Sequence, residues 1–148
     1  MNLEAALDGI SKLYVDSAPL IYYVEEHFAY VDKMEYILNH VENTSLEAVS
    51  SVLTLSEVLV APVRTGAHQV AQRYRTILLN RESCTLVPIS ANIAIRAASI
   101  RARYRSNTPD TLHIASAIVS GCDAFLTNDH KLRGVHELNV LVLDDLEL

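Results

Sequence analysis

Leu13-Tyr14-Val15-Asp16-Ser17-Ala18-Pro19 sets the reading of the whole chain. A short apolar run ends at a carboxylate, and Ser17 and Pro19 then open a helix, because the fixed φ of proline suits a first helical turn. The alternation of short apolar runs with helical periods continues outward from there. Between Phe28 and Val41, the residues Val31, Met34, Leu38 and Val41 recur at helical spacing. Ala48 to Leu53 reads as a second strand, and Thr54 begins a helix through Val60 that stops around Pro62. Gly66 precedes a helix striped by Ala67, Val70, Ala71, Tyr74 and Leu78. Thr85-Leu86-Val87 forms a third strand, and Ser90 caps a helix whose stripe is Ile93, Ala97, Ile100 and Tyr104. Thr108-Pro109 starts a further helix that Gly121 ends, with Ala124 to Leu126 and Val140 to Leu143 as fourth and fifth strands. Apolar strands separated by helices predict a three-layer α/β/α sandwich around a mainly parallel five-stranded sheet.

At 148 residues the chain fits a single domain, residues 1–148, with 1–12 as an N-terminal extension before the first strand. Half of it is hydrophobic and a fifth charged, a globular balance that excludes disorder. Glu4 and Asp8 near the start, with no basic cluster, argue against a signal peptide. The longest weakly charged run, Ala48 to Val63, contains Glu57 and is shorter than the ~20 residues a membrane span needs. A cytoplasmic protein with reduced, buried Cys84 and Cys122 is expected. The net charge of −6 hides an asymmetry: residues 61–108 hold eight arginines against Glu82 alone, while acids dominate both flanks. The whole-chain charge disfavours nucleic acid and the middle segment favours it.

Ligands of open parallel sheets bind outside the carboxyl ends of the strands. Asp16 follows the first strand, Glu57 lies in the helix after the second, Asp110 opens the helix leading to the fourth, and Asp129 follows the fourth. Three have a local explanation: Glu57 a capping box with Thr54, Asp110 the helix dipole, Asp129 a turn cap. Together they form a cluster that such explanations do not require. Two carboxylates ~5 Å apart repel by about 3 kcal/mol at an effective dielectric near 20, so several call for a bound cation. Oxygen ligands suit Mg²⁺ or Mn²⁺, and the six histidines are too scattered for a zinc site.

The residues around these acids resemble the PIN-domain ribonucleases. Tyr14-Val15-Asp16-Ser17-Ala18-Pro19-Leu20-Ile21-Tyr22-Tyr23 is similar to the family's opening motif, and Leu55-Ser56-Glu57-Val58-Leu59 to its second. Pro109-Asp110-Thr111-Leu112-His113-Ile114-Ala115-Ser116-Ala117 is similar to the third, and Phe125-Leu126-Thr127-Asn128-Asp129 to the fourth. The order and spacing match from Leu13 to Leu143, most like the VapC-type toxins of toxin–antitoxin pairs. The resemblance implies Asp16, Glu57, Asp110 and Asp129 as catalytic ligands of Mg²⁺ or Mn²⁺, with Ser17 and Thr127 as supporting hydroxyls. It implies hydrolysis of RNA by activated water, a protein antitoxin and a homodimer. Two departures stand out: residues 1–12 before the first strand, and Ser17-Ala18 where many of these toxins have Thr-Asn.

His113, three residues after Asp110, is read as a packed residue that supports Asp110 by hydrogen bonding. An acidic centre repels phosphates, so cations must line the approach. Arg96 and Arg103 flank one side of the Ser90 helix stripe and Arg101 and Arg105 the other, with Arg64, Arg73 and Arg75 as further walls. Single-stranded RNA is the expected ligand, with Tyr22, Tyr23 and Tyr104 as candidate stacking platforms. The same arginines suit an acidic antitoxin segment. A competing reading is a PIN-like module that binds RNA or protein without cleaving. A phosphoacceptor receiver domain would want adjacent acids after the first strand and a lysine after the last, and the sequence offers neither.

Overall fold

Side-chain alternation along the strands decides what each face of the sheet packs against. A computed structural model describes residues 1–148. Its elements are α1 (Leu3–Leu7), β1 (Lys12–Val15), α2 (Ser17–Val24), α3 (Val31–Asn43), β2 (Glu47–Ser51) and α4 (Val52–Thr65). They continue with α5 (His68–Leu79), β3 (Thr85–Val87), α6 (Ala91–Tyr104), α7 (Thr108–Val119), β4 (Ala124–Thr127) and β5 (Asn139–Val142). Leu13 and Val15 of β1, with Ala124 and Leu126 of β4, face a core that includes Leu3 and Leu7 of α1 and Met34 and Ile37 of α3. Tyr14 and Phe125, on the alternate positions, face Ile93, Ala97 and Ile100 of α6 and Ile114 of α7. Their rings stack at 5.2 Å between centroids and 3° between planes, and both are fully buried.

All five strands pair in parallel, in the order β3-β2-β1-β4-β5. The chain moves outward from β1 to β2 and β3, then crosses to the other side of β1 for β4 and β5. The connectivity therefore reverses between β1 and β4, which opens a crevice at their carboxyl ends. The expected three-layer parallel sandwich is the observed fold. Residues 1–12 are part of its core: Leu3, Ala6 and Leu7 are buried, and Leu3 N donates to Glu147 O at 2.7 Å. Cys84 and Cys122 are buried and unpaired, and burial pushes both thiols up to about 12. No helix is long and apolar enough to cross a membrane.

Several boundaries differ from those the sequence suggests. β2 ends at Ser51, so α4 begins at Val52 and Thr54 is a buried residue inside it. The Thr54–Glu57 capping box does not form, because Thr54 Oγ1 faces Ser50 Oγ at 2.8 Å. α4 also runs through Pro62, whose ring is buried, and ends at Gly66, in the left-handed region at φ 73°. α3 starts at Val31, leaving Phe28 91 % exposed in the preceding turn. β5 ends at Val142, and Leu143 turns into a 3₁₀ segment.

Phe125→Ala removes one half of the central stack and leaves a cavity. Urea unfolding is expected to show a loss of about 3–5 kcal/mol. A loss below ~1 kcal/mol would show that the two faces do not depend on this ring.

Candidate active site

Asp16 is set where β1 ends and α2 begins. It is the N-cap of α2, with Oδ1 accepting from Ser17 N at 2.8 Å. Thr127, the last residue of β4, donates its hydroxyl to Asp16 Oδ2 at 2.8 Å, so the neighbouring strand fixes the carboxylate's orientation. Ser50 Oγ lies 2.9 Å from Val15 O, which anchors the backbone just before Asp16. Asp129 caps the 3₁₀ turn His130–Gly134, accepting from Lys131 N at 3.0 Å, while its own N–H donates to Thr127 Oγ1. Thr127 therefore ties both aspartates to one strand end.

Asp110 enters from α7. Asn107 caps that helix by accepting from Asp110 N at 2.8 Å, but the Asp110 carboxylate accepts no hydrogen bond from the protein. Its pKa is raised, by burial first and then by repulsion from Asp129 and Asp16. Asp110 thus feels both other aspartates electrostatically across the crevice between β1 and β4.

Glu57 is brought in by α4, in its second turn, and is held by two donors. Ser17 Oγ donates to Glu57 Oε1 at 2.7 Å, and His113 Nε2 lies 2.5 Å from the same oxygen. His113 is buried at 3 % exposure and stands 3.6 Å from Asp16 Oδ1. Its Nδ1 meets the Tyr14 hydroxyl at 2.8 Å, and that hydroxyl donates to Ser51 Oγ at 2.9 Å. Both imidazole nitrogens are therefore engaged, one by Tyr14 and one by Glu57. Burial works to lower the His113 pKa, but its hydrogen bond to Glu57 and the charges of Asp16, Glu57 and Asp110 outweigh it, and the net shift is upward. Burial likewise works to raise Glu57, and the bonds from His113 and Ser17 reverse it to a net lowering.

The expected His113–Asp110 hydrogen bond is therefore not made. The two share a helix face, but the imidazole is packed edge-on against Tyr14 and its two nitrogens are taken up by Tyr14 and Glu57. Tyr14, Ser50, Ser51 and Thr54 form a buried polar support whose contacts helical and strand spacing do not reveal. The available signal was Ser50-Ser51 closing an otherwise apolar strand with no water to satisfy them.

The arginines divide. Arg103 pairs with Glu137 at 2.9 Å, and Tyr104 donates to the same carboxylate at 2.6 Å. Arg101 donates to Thr108 Oγ1, and Arg73 to the carbonyl of Val24. A cavity of about 820 Å³ lies between α6 and α7, with alanines, Arg101 and Arg105 on its walls and none of the four acids.

A set of carboxylates with one unpartnered member suits a hard cation in donor type. As the side chains stand, no three acids or histidines lie close enough to close a metal shell. The fit is one of donor chemistry and position, with Glu57 drawn onto Ser17 and His113.

Residues 13–138 match the PIN domain family. No curated protein sequence matches the chain. Among solved structures, VapBC2 of Rickettsia felis, bound to a promoter DNA fragment, is similar at TM-score 0.69 and 17 % identity, covering 88 % of this chain and 98 % of that one. A toxin–antitoxin complex from Klebsiella pneumoniae is similar at TM-score 0.68 and 21 % identity, covering 88 % and 97 %. VapC20 of Mycobacterium tuberculosis, a sarcin–ricin-loop-cleaving toxin, is similar at TM-score 0.66 and 15 % identity, covering 86 % and 98 %. At these identities the likeness is one of fold.

The His113–Glu57 pair makes a prediction about pH in metal-free protein. The raised His113 value means its stabilisation is fully present below the ordinary histidine pKa of about 6.5 and is lost as pH rises through the folded value. The lowered Glu57 value means its share is lost on the acid side, as pH falls through the folded value. Glu57→Gln removes the partner charge, so an NMR titration of His113 should move to lower pH. An unchanged titration would contradict the pairing.

Proposed function

The chain belongs to the PIN-domain family, and from that premise we propose that it is a Mg²⁺- or Mn²⁺-dependent endoribonuclease and the toxin of a toxin–antitoxin pair. The observation that carries this reading is the raised pKa of Asp110, repelled by Asp129 and Asp16 from across the crevice between β1 and β4 as well as partly buried. Those three would hold the ion, with Glu57 reaching the same crevice from α4. A divalent ion bound there supplies acidified water and positive charge against the leaving oxygen of a phosphodiester.

The protein's own groups do the positioning. Thr127 and Ser17 N fix the two oxygens of Asp16, and Asn107 fixes the turn that presents Asp110. His113 and Ser17 keep Glu57 ionised and oriented. Water is the nucleophile in this reading and the 3′-oxygen leaves, so the products carry a 5′-phosphate and a 3′-hydroxyl. The RNA assignment draws support from the description of the Mycobacterium tuberculosis relative as a sarcin–ricin-loop-cleaving toxin. The antitoxin assignment draws support from the neighbours that are toxin–antitoxin complexes. A homodimer and a cytoplasmic location complete the proposal. Arg96, Arg101, Arg103 and Arg105 are the proposed RNA-contacting cations, although Arg103 must first leave Glu137.

One observation favours a second reading, a PIN fold kept for binding without cleavage. Glu57 is already bonded to His113, and the acids do not form a closed shell. The experiment that separates the two is cleavage of a mixed single-stranded RNA pool with Mg²⁺, Mn²⁺ or EDTA. Asp16→Asn and Asp110→Asn are expected to lower cleavage by more than the roughly 10–100-fold that losing an outer partner of a metal ligand costs. Asparagine is as good an N-cap as aspartate, so Asp16→Asn should retain the fold by circular dichroism. Metal-independent cutting, or wild-type rates in either variant, would overturn the nuclease reading. RNA binding with no cutting under any metal would favour the second.

A further inference from the structure

Asp110 also forms part of the wall of a cavity beside the acids. The end of α6, the link to α7 and the 3₁₀ turn after Asp129 enclose about 350 Å³, lined by Tyr104, Arg105, Asn107, Asp110, Lys131 and Gly134 among others. Two of these residues are cations. Neither Arg105 nor Lys131 takes part in any ion pair of the structure. Several other cations of the chain are already engaged: Arg103 with Glu137, Arg133 with Asp145, Arg101 with Thr108 and Arg73 with Val24. Arg105 and Lys131 are thus free cations that share a cavity with one of the acids.

Their placement is tied to the acids. Lys131 N is held by the Asp129 carboxylate at 3.0 Å, so the lysine moves with that aspartate. Its charge also acts on Asp110, lowering the pKa that burial and the neighbouring aspartates raise. Arg105 caps α6 in the left-handed region, at φ 54° and ψ 31°. Glycine adopts that conformation without steric penalty and is the usual residue there. An arginine in its place keeps a charge on the wall this cavity shares with the one between α6 and α7, and such strain gathers at functional positions.

An RNA strand crossing the acidic crevice has its next phosphate close by, where the carboxylates would repel it. A guanidinium and an ammonium in one small polar cavity match the oxygens of a phosphodiester. We propose that this cavity is a phosphate subsite, in which Arg105 and Lys131 bind the phosphodiester adjacent to the cleaved one and set the register of the strand on the acids. The proposal rests on the nuclease reading above for the identity of the strand. A single-stranded RNA is favoured over an acidic protein segment because the cavity is small and opens beside Asp110.

The test uses Asp16→Asn protein, so that RNA binds without being cut, and a mixed-sequence single-stranded oligonucleotide followed by fluorescence anisotropy across a salt series. Lys131→Ala and Arg105→Ala should each weaken binding several-fold and reduce the slope of log affinity against log salt by about 0.7, the value of one single-strand phosphate contact. Arg105→Lys should restore most of the slope. Arg81→Ala, which lies before β3 at the opposite end of the sheet, should leave affinity and slope unchanged. A methylphosphonate scan separates contact from damage: one neutral linkage should weaken the Asp16→Asn protein and cause no further loss when Lys131→Ala is added. RNA binding with an unchanged slope in both alanine variants overturns the subsite and leaves the nuclease reading standing. Loss of affinity for a glutamate-rich peptide with none for RNA overturns it in favour of protein docking. Absence of RNA binding altogether overturns both readings.

Discussion

Asp16, Asp110 and Asp129 repel one another in the crevice where the sheet's connectivity reverses, and much of the surrounding structure either imposes that repulsion or offsets it. The sheet order imposes it. With β1 beside β4, the chain leaving one strand carries Asp16 and the chain leaving the other carries Asp129. α7 adds Asp110 from above, and the raised pKa of that residue registers the crowding. A protein under no functional demand would relieve such crowding with neutral residues, since uncompensated buried charge is destabilising.

Compensation comes from a short list of donors. Thr127 serves Asp16 with its hydroxyl and accepts from the backbone of Asp129, so one residue organises two acids. Ser17 serves Asp16 with its N–H and Glu57 with its hydroxyl. His113 bonds Glu57 and lies close to Asp16, whose charges together raise its pKa, and Tyr14 bonds the ring's other nitrogen. Tyr14 in turn stacks on Phe125, so the hydrophobic core and the polar site share one side chain. Asp110 alone receives no hydrogen-bond donor, which leaves it the carboxylate most open to a cation.

The sheet and its parallel sense were legible in the sequence because the strands are short apolar runs separated by helical periods, and Asp16 and Asp129 could be placed because they lie just past β1 and β4. That pattern depends on local burial and survives without knowledge of contacts. What was not legible depends on partners far along the chain. The start of α4 shifted from Thr54 to Val52 because Ser50, Ser51 and Thr54 are satisfied by Val15, Tyr14 and one another rather than by a helix end. Pro62 did not end α4, since its buried ring gains packing and Gly66 provides the actual stop. His113 was given the wrong partner because helical spacing shows which residues share a face, not which side chain from α4 or β1 reaches them. Residues 1–12 read as an extension whose Leu3, Ala6 and Leu7 could pack on the domain or meet a partner, and the structure has them packed on the domain, against α3 and the sheet.

The account turns on whether the crevice holds a divalent cation. The most direct measurement is anomalous diffraction from crystals of the protein soaked in Mn²⁺. The account predicts a peak bounded by the carboxylates of Asp16, Asp110 and Asp129. No peak there at saturating Mn²⁺, or a peak only elsewhere on the surface, would contradict it.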